Sequence, residues 1–407
     1  MAKLQVTELD FDDIKDNLKV FLKAQTKFKD YDFEGSGMSV LLDTLAYNTH
    51  YLAFNANMAA NEMFLDSAAL RSSVVSHAKM LGYEVASARA PIASLNVFVS
   101  TNKDTLTMPA GTKFTSAVGS ESYSFVSISD TTGTNSGGTV SFENLSVYEG
   151  TYVTSTYTVD TSSQDQRYVL SDNRSDINTL TVQVQNSASD TIVTSFTKAT
   201  DITQLTNNSS VYFCQEAEAG KFEIYFGDGI VSKALVDGNI ITLKYVVTNK
   251  TASNGVSSFT IAQNLGGASS ISAVVTIAST GGFYNESIES IRSFAPKALQ
   301  VQDRAVTKSD YEILLRNKFP SIQAISVYGG DEVDPPQFGK VIISVDVTGG
   351  QGAADFEIAD FREYLKDKTP LTIEPVFVSA KFLHVNTLVN IVYDANTTSK
   401  SAAQIKT

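Results

Sequence analysis

The sequence has little of several residue types that build catalytic and metal sites. Its 407 residues include one cysteine, three histidines, eight prolines and no tryptophan. A lone cysteine, Cys214, excludes an internal disulfide and a cysteine-rich metal site, which is typical of proteins made in a reducing compartment. No apolar run approaches the roughly 20 residues that a membrane helix needs. The first residues also lack the apolar core of a signal peptide.

Positive charge is in deficit as well. Lysine and arginine total 31 against 44 aspartates and glutamates, so the formal net charge is −13. This balance argues against a nucleic acid as partner and against membrane insertion or an anionic membrane surface. The apolar share of 43% is enough for packed cores, and the length suggests two to four domains. We therefore expect an acidic, multi-domain intracellular product.

Residues 1–90 have a helical pattern. Asp10 is placed to cap a first helix, and a second helix is predicted from Met38 to Leu65. The second helix carries two apolar stripes at spacings of three, four and seven residues. One stripe is Met38, Leu41, Leu45, Leu52, Ala56 and Met63, and the other is Tyr47, Tyr51, Phe54, Met58 and Leu65. Two apolar faces need two neighbours: either a three-helix domain covers both, or another chain completes a bundle.

A third helix is predicted to follow, with Ser67 as its N-cap and Gly82 as the glycine that ends it. The stretch from Ala86 to Pro91 reads as a linker. Residues 91–280 are then β-rich, with short alternating runs such as Ile241–Val247. Within them, residues 101–219 carry −8 of the net charge, which predicts an acidic insertion around 101–220. Thr131 to Thr139 reads as a flexible loop.

Residues 281–396 predict a small α+β domain with the order β-β-α-β-β after two helices. The first helix covers Asn285 to Ala295, where Pro296 should end or kink it, and the second covers Thr307 to Phe319. The last strand runs from Leu383 to Tyr393, and residues 397–407 read as the start of a further, truncated helix. The predicted class is α+β multidomain: an N-terminal helical bundle segment, central β-rich domains and a C-terminal α+β domain.

Motifs for catalysis or for ligand binding are scarce in the sequence. The sequence has no phosphate-binding loop, no nucleophile elbow and no zinc-binding histidine pattern. The segment Phe226-Gly227-Asp228-Gly229 is accounted for by a hairpin-type turn, because glycine allows positive φ and aspartate bonds to the backbone. We therefore predict no catalytic residue, no cofactor, no metal ligand and no enzymatic activity.

Several segments together resemble a known family. The run from Asp30 to Tyr83 resembles the T4-like phage baseplate wedge proteins of the gene product six family. Phe226, Gly227, Asp228 and Gly229 match a Phe-Gly-Asp-Gly hallmark of the wider baseplate J-like family of contractile tails. Gly281, Gly282 and Glu286 match its Gly-Gly-x-x-x-Glu-Ser entry to a helix, and Arg304 lies in the Gln-Asp-Arg-Ala-Val-Thr segment that continues it.

The resemblance implies a structural role in the virion. Such proteins are wedge components of a tail baseplate, assembled in the host cytoplasm. They form an inner ring around the tail tube that rearranges when the sheath contracts. Implied partners are a second copy of the chain, a larger wedge protein resembling gene product seven, small wedge proteins and neighbouring wedges. On this basis Tyr47, Tyr51, Phe54, Met58 and Leu65 would face a shared helical bundle.

Two other classes stay open. A receptor-binding or glycan-binding tail protein is suggested by the Ser/Thr/Asn-rich β region, although neither repeats nor an aromatic binding shelf are visible. A tail-associated lysin would need an acid/base pair or a nucleophile, and no pattern marks one.

Overall fold

A computed structural model describes residues 10–25, 37–118, 120–163, 166–199, 205–261, 264–268, 270–319, 322–347 and 355–380. It has a helical segment at the amino end, two β-sheets in the middle and a mixed helix and strand part at the carboxyl end. The predicted α+β class is thereby confirmed. In the part of the chain covered by these ranges, no helix is both long and apolar enough to span a membrane.

The amino-terminal segment begins with two helices that pack on each other, α1 (Phe11–Lys23) and α2 (Gly37–Glu62). The Asp10 carboxylate accepts hydrogen bonds from the amides of Asp12 and Asp13, which confirms the predicted cap. A salt bridge of 2.6 Å joins Lys15 of α1 to Asp43 of α2. The second helix ends three residues before the predicted Leu65.

The third helix, α3 (Arg71–Met80), starts differently from the prediction. Its N-cap is Leu70. The Ser67 hydroxyl instead donates a hydrogen bond to the Asn61 carbonyl in the last turn of α2. The Glu62 carboxylate accepts hydrogen bonds from the amides of Ala69 and Leu70, so a distant side chain caps this helix. The predicted end is confirmed: Gly82 has φ +75°, and the next amide donates to the Ala78 carbonyl.

The central region forms two sheets. The first contains β1 (Ile92–Ser100), β2 (Thr105–Met108), β3 (Lys113–Val118), β4 (Glu121–Val126), β5 (Thr131–Ser136), β6 (Thr139–Glu149), β14 (Thr260–Ile261) and β15 (Ser270–Thr280). Its main path is β14-β3-β4-β6-β1-β15, and β2 joins through β5. The second contains β7 (Thr151–Thr158), β8 (Tyr168–Val169), β9 (Ser175–Gln185), β10 (Val193–Lys198), β11 (Val211–Glu216), β12 (Phe222–Phe226) and β13 (Ile240–Val247). Its order is β7-β13-β9-β10-β11-β12-β8.

The acidic stretch 101–220 is divided between the two sheets. Strands β2 to β6 belong to the first sheet and β7 to β11 to the second, so it is not inserted as one separate piece. The prediction of a flexible loop at Thr131–Thr139 is also wrong, because β5 and β6 form a hairpin there. Gly137 and Gly138 turn it with φ of +62° and +85°, and Asn135 accepts a hydrogen bond from the Gly138 amide.

Two helices lead into the carboxyl part, α4 (Ile288–Val301) and α5 (Lys308–Lys318). Pro296 lies inside α4, so of the two predicted effects, an end or a kink of the helix, the end is wrong. Ile291 and Ala295 before it and Val301 after it are all buried on the core side. This packing outweighs the hydrogen bond that proline removes. Thr307 and Asp310 form the predicted capping box at the start of α5.

The last unit has β16 (Ile322–Gly329), β17 (Lys340–Val347), α6 (Asp355–Leu365) and β18 (Glu374–Ser379). In this three-stranded sheet, β17 pairs antiparallel with β16 and parallel with β18. The helices cover a core that includes Phe361 and Leu365. The first four elements of the predicted β-β-α-β-β order are thus present, while the strand Leu383–Tyr393 and the helix at 397–407 lie outside the described residues.

The stretch predicted as a linker, Ala86 to Pro91, is instead buried between these units. Ser87, Ala88, Arg89 and Ala90 are all almost inaccessible to solvent. The Ala90 amide donates to the Asp176 carboxylate at 2.8 Å, and Asn178 donates to it from both its amide and its side chain. Burial raises the pKa of Asp176, and these donors oppose the rise.

The raised pKa of Asp176 predicts a pH dependence of stability. The unfolded chain releases this proton at a lower pH than the folded protein does. Ionisation therefore lowers the free energy of unfolding as pH rises above the ordinary aspartate range. The unfolding free energy of wild type minus that of Asp176→Asn should fall as pH rises from about 4 to about 7, because only wild type has this carboxyl to ionise. Urea unfolding of both proteins across this range measures it, and a value that stays constant or rises with pH would contradict the assignment.

Candidate interaction surfaces

One face of α2 packs inside the protein. Its buried residues are Ser39, Leu42, Ala46, Ala53 and Asn57. At about 100° per residue these positions lie on a single side of the helix. Four of the five are small or polar, and none belongs to either predicted stripe, so the side that the chain covers itself is less hydrophobic than the stripes.

Both predicted apolar stripes of α2 point away from this buried face. On one side, Leu41, Leu45 and Leu52 are each more than half exposed. On the other, Tyr47 is 57% exposed, Tyr51 49%, Phe54 51% and Met58 40%. Large apolar side chains in such a row cost free energy in water and are typical of a surface that another chain covers.

A polar strip separates the two stripes. Thr44, Asn48 and Asn55 are exposed and share the side of the helix opposite the buried one. The stripes are therefore two distinct seams, each wide enough for one neighbouring helix. We call them the leucine seam (Leu41, Leu45 and Leu52) and the tyrosine seam (Tyr47, Tyr51, Phe54 and Met58).

The tyrosine seam is ordered by its own contacts. The Tyr47 hydroxyl donates to the Tyr51 hydroxyl at 3.0 Å, and the two rings meet edge to face with centroids 4.7 Å apart. The hydrogen bond raises the pKa of Tyr47. Two aromatic side chains held in one arrangement lose little conformational entropy when a partner covers them.

Leu65 does not share this seam. It lies three residues past the end of α2 and is half-buried against the core of α3 and α4. The polypeptide is fixed there by Arg292, whose Nε donates to the Leu65 carbonyl at 3.0 Å and whose guanidinium also donates to the Ala68 carbonyl. Sequence periodicity counted Leu65 with the tyrosines because it treats the helix as unbroken.

The Phe226-Gly227-Asp228-Gly229 segment forms a closed loop after β12. The Asp228 carboxylate accepts hydrogen bonds from the Ile230 and Val231 amides, which lower its pKa. A Cβ at Gly227 would lie 1.9 Å from the Ser232 hydroxyl oxygen, so only glycine fits. The loop does not join β12 to β13 as a simple hairpin, because these strands are not neighbours in the sheet. Phe226 packs in the core of that sheet.

The other motif residues lie where the helical segment meets the β region. A Cβ at Gly282 would approach Pro91 Cγ to 2.4 Å and the Lys250 carbonyl to 2.5 Å. At Gly281, φ is +82°. Glu286 is buried, and its carboxylate accepts hydrogen bonds from the Tyr83 hydroxyl at 2.6 Å, the Ala86 amide at 3.1 Å and Ser290 at 2.7 Å. Burial raises its pKa against these donors.

Arg304 lies apart from this junction. It is exposed, and its guanidinium contacts the side chain of Gln302. The junction instead contains a pair that sequence reasoning missed. Arg71 makes a bidentate salt bridge to the buried Glu216, with 2.6 Å from Nε to Oε1 and 2.8 Å from Nη2 to Oε2. It also donates to the Glu286 carbonyl. These partners are far apart along the chain, so no local pattern could have revealed them.

Comparison with known families matches both ends of the chain. Residues 10–83 match the model described as "Baseplate wedge protein gp6-like, helical domain". Residues 307–378 match "Baseplate structural protein gp6, C-terminal domain I". Both models describe gp6 or gp6-like baseplate proteins. The first includes both seams of α2, and the second covers α5 and the strands and helix that follow it.

A curated relative supports this identification. The baseplate wedge protein gp6 of Enterobacteria phage T4 is 28% identical over 419 aligned positions, which cover 96% of this chain. The chain spans 62% of the length of that relative. The resemblance inferred from the sequence is thus confirmed. The matches support a structural role in a phage tail baseplate, and they lend nothing to receptor or glycan binding.

Two solved baseplates contain more distant matches. One is the cryo-EM structure of the anti-feeding prophage (AFP) baseplate, with 13% identity, coverage of 91% of this chain and 70% of that chain, and a TM-score of 0.30. The other is the type VI secretion system TssK-TssF-TssG baseplate subcomplex, with 8% identity, coverage of 86% and 100%, and a TM-score of 0.36. These identities and TM-scores indicate only a remote likeness.

The close approach at Gly282 predicts that Gly282→Ala destabilises the protein. The added methyl must displace Pro91 or the Lys250 carbonyl, which costs about 2–3 kcal/mol of unfolding free energy. Gly37→Ala is the matched control, since nothing lies within 4 Å of its Cβ. Its effect should stay within about 0.5 kcal/mol. Equal effects in urea unfolding would show that the Gly281-Gly282 pair does not need this tight packing.

Glu286 should matter far more than its neighbour Glu289. Glu286→Ala leaves the buried Tyr83 hydroxyl and Ala86 amide without their acceptor, at a cost of about 3 kcal/mol. Glu289 lies in the first turn of α4, three residues later, and its side chain is 78% exposed in a salt bridge with Arg292. Glu289→Ala should therefore cost less than about 1 kcal/mol. Thermal or urea unfolding separates the two, and similar losses would count against the role of Glu286.

Proposed function

We propose that the chain is a structural, non-catalytic component of the baseplate wedge of a contractile phage tail. It would form the inner baseplate ring around the tail tube with partner wedge proteins and take part in the rearrangement of that ring on sheath contraction. Assembly would take place in the host cytoplasm, before the particle leaves the cell. The observation that carries the proposal is α2, a helix with two exposed apolar seams in a region that matches a baseplate wedge helical domain.

Two seams imply two partner helices. Within the described residues, the chain covers the small-residue face of α2 and leaves both seams exposed, so a bundle in which α2 is one of three or more helices would bury the rest. We propose that one neighbour is the same helix from a second copy, and that the other comes from a larger wedge protein resembling gene product seven. Small wedge proteins and neighbouring wedges would then attach to other surfaces.

The domain organisation follows the same proposal. Residues 1–90 would be the assembly segment, 91–280 the β-rich part and 281–396 the α+β domain, with 397–407 entering a further element. Phe226 to Gly229, Gly281, Gly282 and Glu286 would be structural rather than catalytic. Their contacts support this: the loop after β12 closes on its own backbone, and Glu286 joins α4 to the end of the helical segment.

The tyrosine seam gives the test. Phe54→Ser combined with Met58→Ser removes exposed apolar area, so the stability of the isolated chain should change by less than about 1 kcal/mol. Association should weaken by about 3 kcal/mol, or roughly a hundredfold in Kd, since burial of each large side chain contributes about 1.5–3 kcal/mol. The measurements are sedimentation of the full chain and its co-purification with co-expressed wedge proteins of the same tail.

The control changes polar residues of the same helix, Asn48→Ser with Asn55→Ser, in the strip between the seams. This variant should associate like the wild type. Undiminished assembly of the Phe54/Met58 variant would refute the shared-bundle role of the tyrosine seam.

A further inference from the structure

A positively charged cleft lies where the helical segment, the second sheet and the carboxyl-terminal unit meet. Its volume is about 470 Å³. Four cationic residues line it: Arg89, Lys198, Lys318 and Lys368. The lining contains two acidic residues, Glu84 and Asp303. In a chain of net charge −13, a surplus of cations at one cleft is a local inversion of the overall field.

The cations lie deeper than their counter-ions. The side chains of Lys198 and Lys368 are 26% and 18% exposed, whereas their partners Glu84 and Asp303 are 64% and 67% exposed. Arg89 is buried, and its guanidinium lies 5.5 Å from the centre of the Phe319 ring and 3.5 Å from the more exposed Asp360. These three cations are therefore already paired with more exposed carboxylates, which an incoming anion would have to share or displace.

Lys318 is the cation in excess. It makes no salt bridge to a described residue, and its ammonium lies 6.0 Å from the centre of the Tyr364 ring. Its side chain is open to the solvent of the cleft. The surrounding residues reduce the hydration of its ammonium, which lowers its pKa, and the positive charges of Lys198, Arg89 and Lys368 add to this effect against the opposing charge of Glu84. Lys318 thus lies near three cations that are already paired, and a negative ligand beside it would supply a counter-charge.

Part of the cleft wall is apolar. Leu81, Val85, Ile177, Leu299 and Ile313 contribute to the lining. Leu299 is 54% exposed. A free phosphate would pair with the lysines but would leave these apolar side chains exposed to water. A peptide with carboxylates beside apolar side chains would satisfy both, and lysines are point charges that suit carboxylates at several positions.

We propose that this cleft binds an acidic, apolar-anchored segment of a partner protein. The charge complementarity carries the choice of occupant, and the three units that line the cleft would be held together by it. The site is distinct from the seams of α2 and does not depend on the bundle. It rests on the proposed function only in that the partner would be another baseplate protein.

Fluorescence anisotropy of the full chain with a labelled test peptide can check this. The probe is an eight-residue peptide of alternating leucine and glutamate, and its glutamine counterpart is the neutral control. The acidic peptide should bind, with affinity falling as salt rises, and the neutral peptide should bind at least tenfold more weakly. Lys318→Gln should weaken binding of the acidic peptide about tenfold, as expected for loss of one charged contact.

Lys113→Gln is the matched control, because Lys113 is exposed on β3 outside the cleft. It should bind the peptide as the wild type does. Absence of binding by the wild type, or equal effects of Lys318→Gln and Lys113→Gln, would overturn the proposal. Binding of inorganic tripolyphosphate without binding of the peptide would also overturn it and would indicate a phosphate site.

Further measurements distinguish loss of the cleft charge from loss of folding. Circular dichroism and urea unfolding establish that Lys318→Gln is folded, and a Lys198→Gln variant provides an independent loss of charge at the same cleft. The Phe54/Met58 variant of α2 should bind the acidic peptide normally. Failure of the cleft and failure of the bundle are therefore distinguishable outcomes.

Discussion

The arrangement of the whole chain depends on how the buried segment Ala86–Pro91 satisfies its backbone. Each polar backbone group removed from water needs a partner, and the partners come from every neighbouring unit. Ala86 exchanges hydrogen bonds with Glu286, Arg89 pairs with Phe283, Ala90 donates to Asp176, and the Pro91 carbonyl accepts from the Glu149 amide. A segment bonded in this way joins the end of the helical segment, both sheets and the residues that lead into α4.

Buried carboxylates make many of the hydrogen bonds that join these units. Glu286, Asp176 and Glu149 are nearly inaccessible, and each accepts at least three hydrogen bonds, with Thr248 and Asn249 as the donors to Glu149. Glu216 is also buried, and its two oxygens are held by Arg71. Such groups are costly to bury and costlier to leave unpaired. They therefore specify one arrangement of the units. The exposed acids contribute net charge but do not fix the fold in this way.

Local patterns predicted local features well. The Asp10 cap, the Thr307 and Asp310 capping box, the Gly82 terminus and the alternating strand at Ile241–Val247 were all readable, because each depends on residues within a few positions. The failures involve distant partners. Ser67 loses the cap of α3 to Glu62, Pro296 stays inside α4 because its flanks are packed, and Ala86–Pro91 resembles a linker because its hydrogen-bond partners lie up to 200 residues away. Leu65 was misassigned since periodicity cannot detect a helix end that is stabilised from outside.

The two-faced pattern of α2 shows how such a sequence can still indicate a partner. A helix that packs only within its own chain normally places its largest apolar residues inward. Here the inward face holds one large apolar residue, Leu42, among Ser39, Ala46, Ala53 and Asn57, while three other leucines, two tyrosines and a phenylalanine face outward. The chain thus packs α2 closely through small side chains and keeps its strongest apolar area for other surfaces. This inversion would be a defect in a solitary domain, and it is what a wedge component needs if it must stay folded before assembly and bind tightly during it.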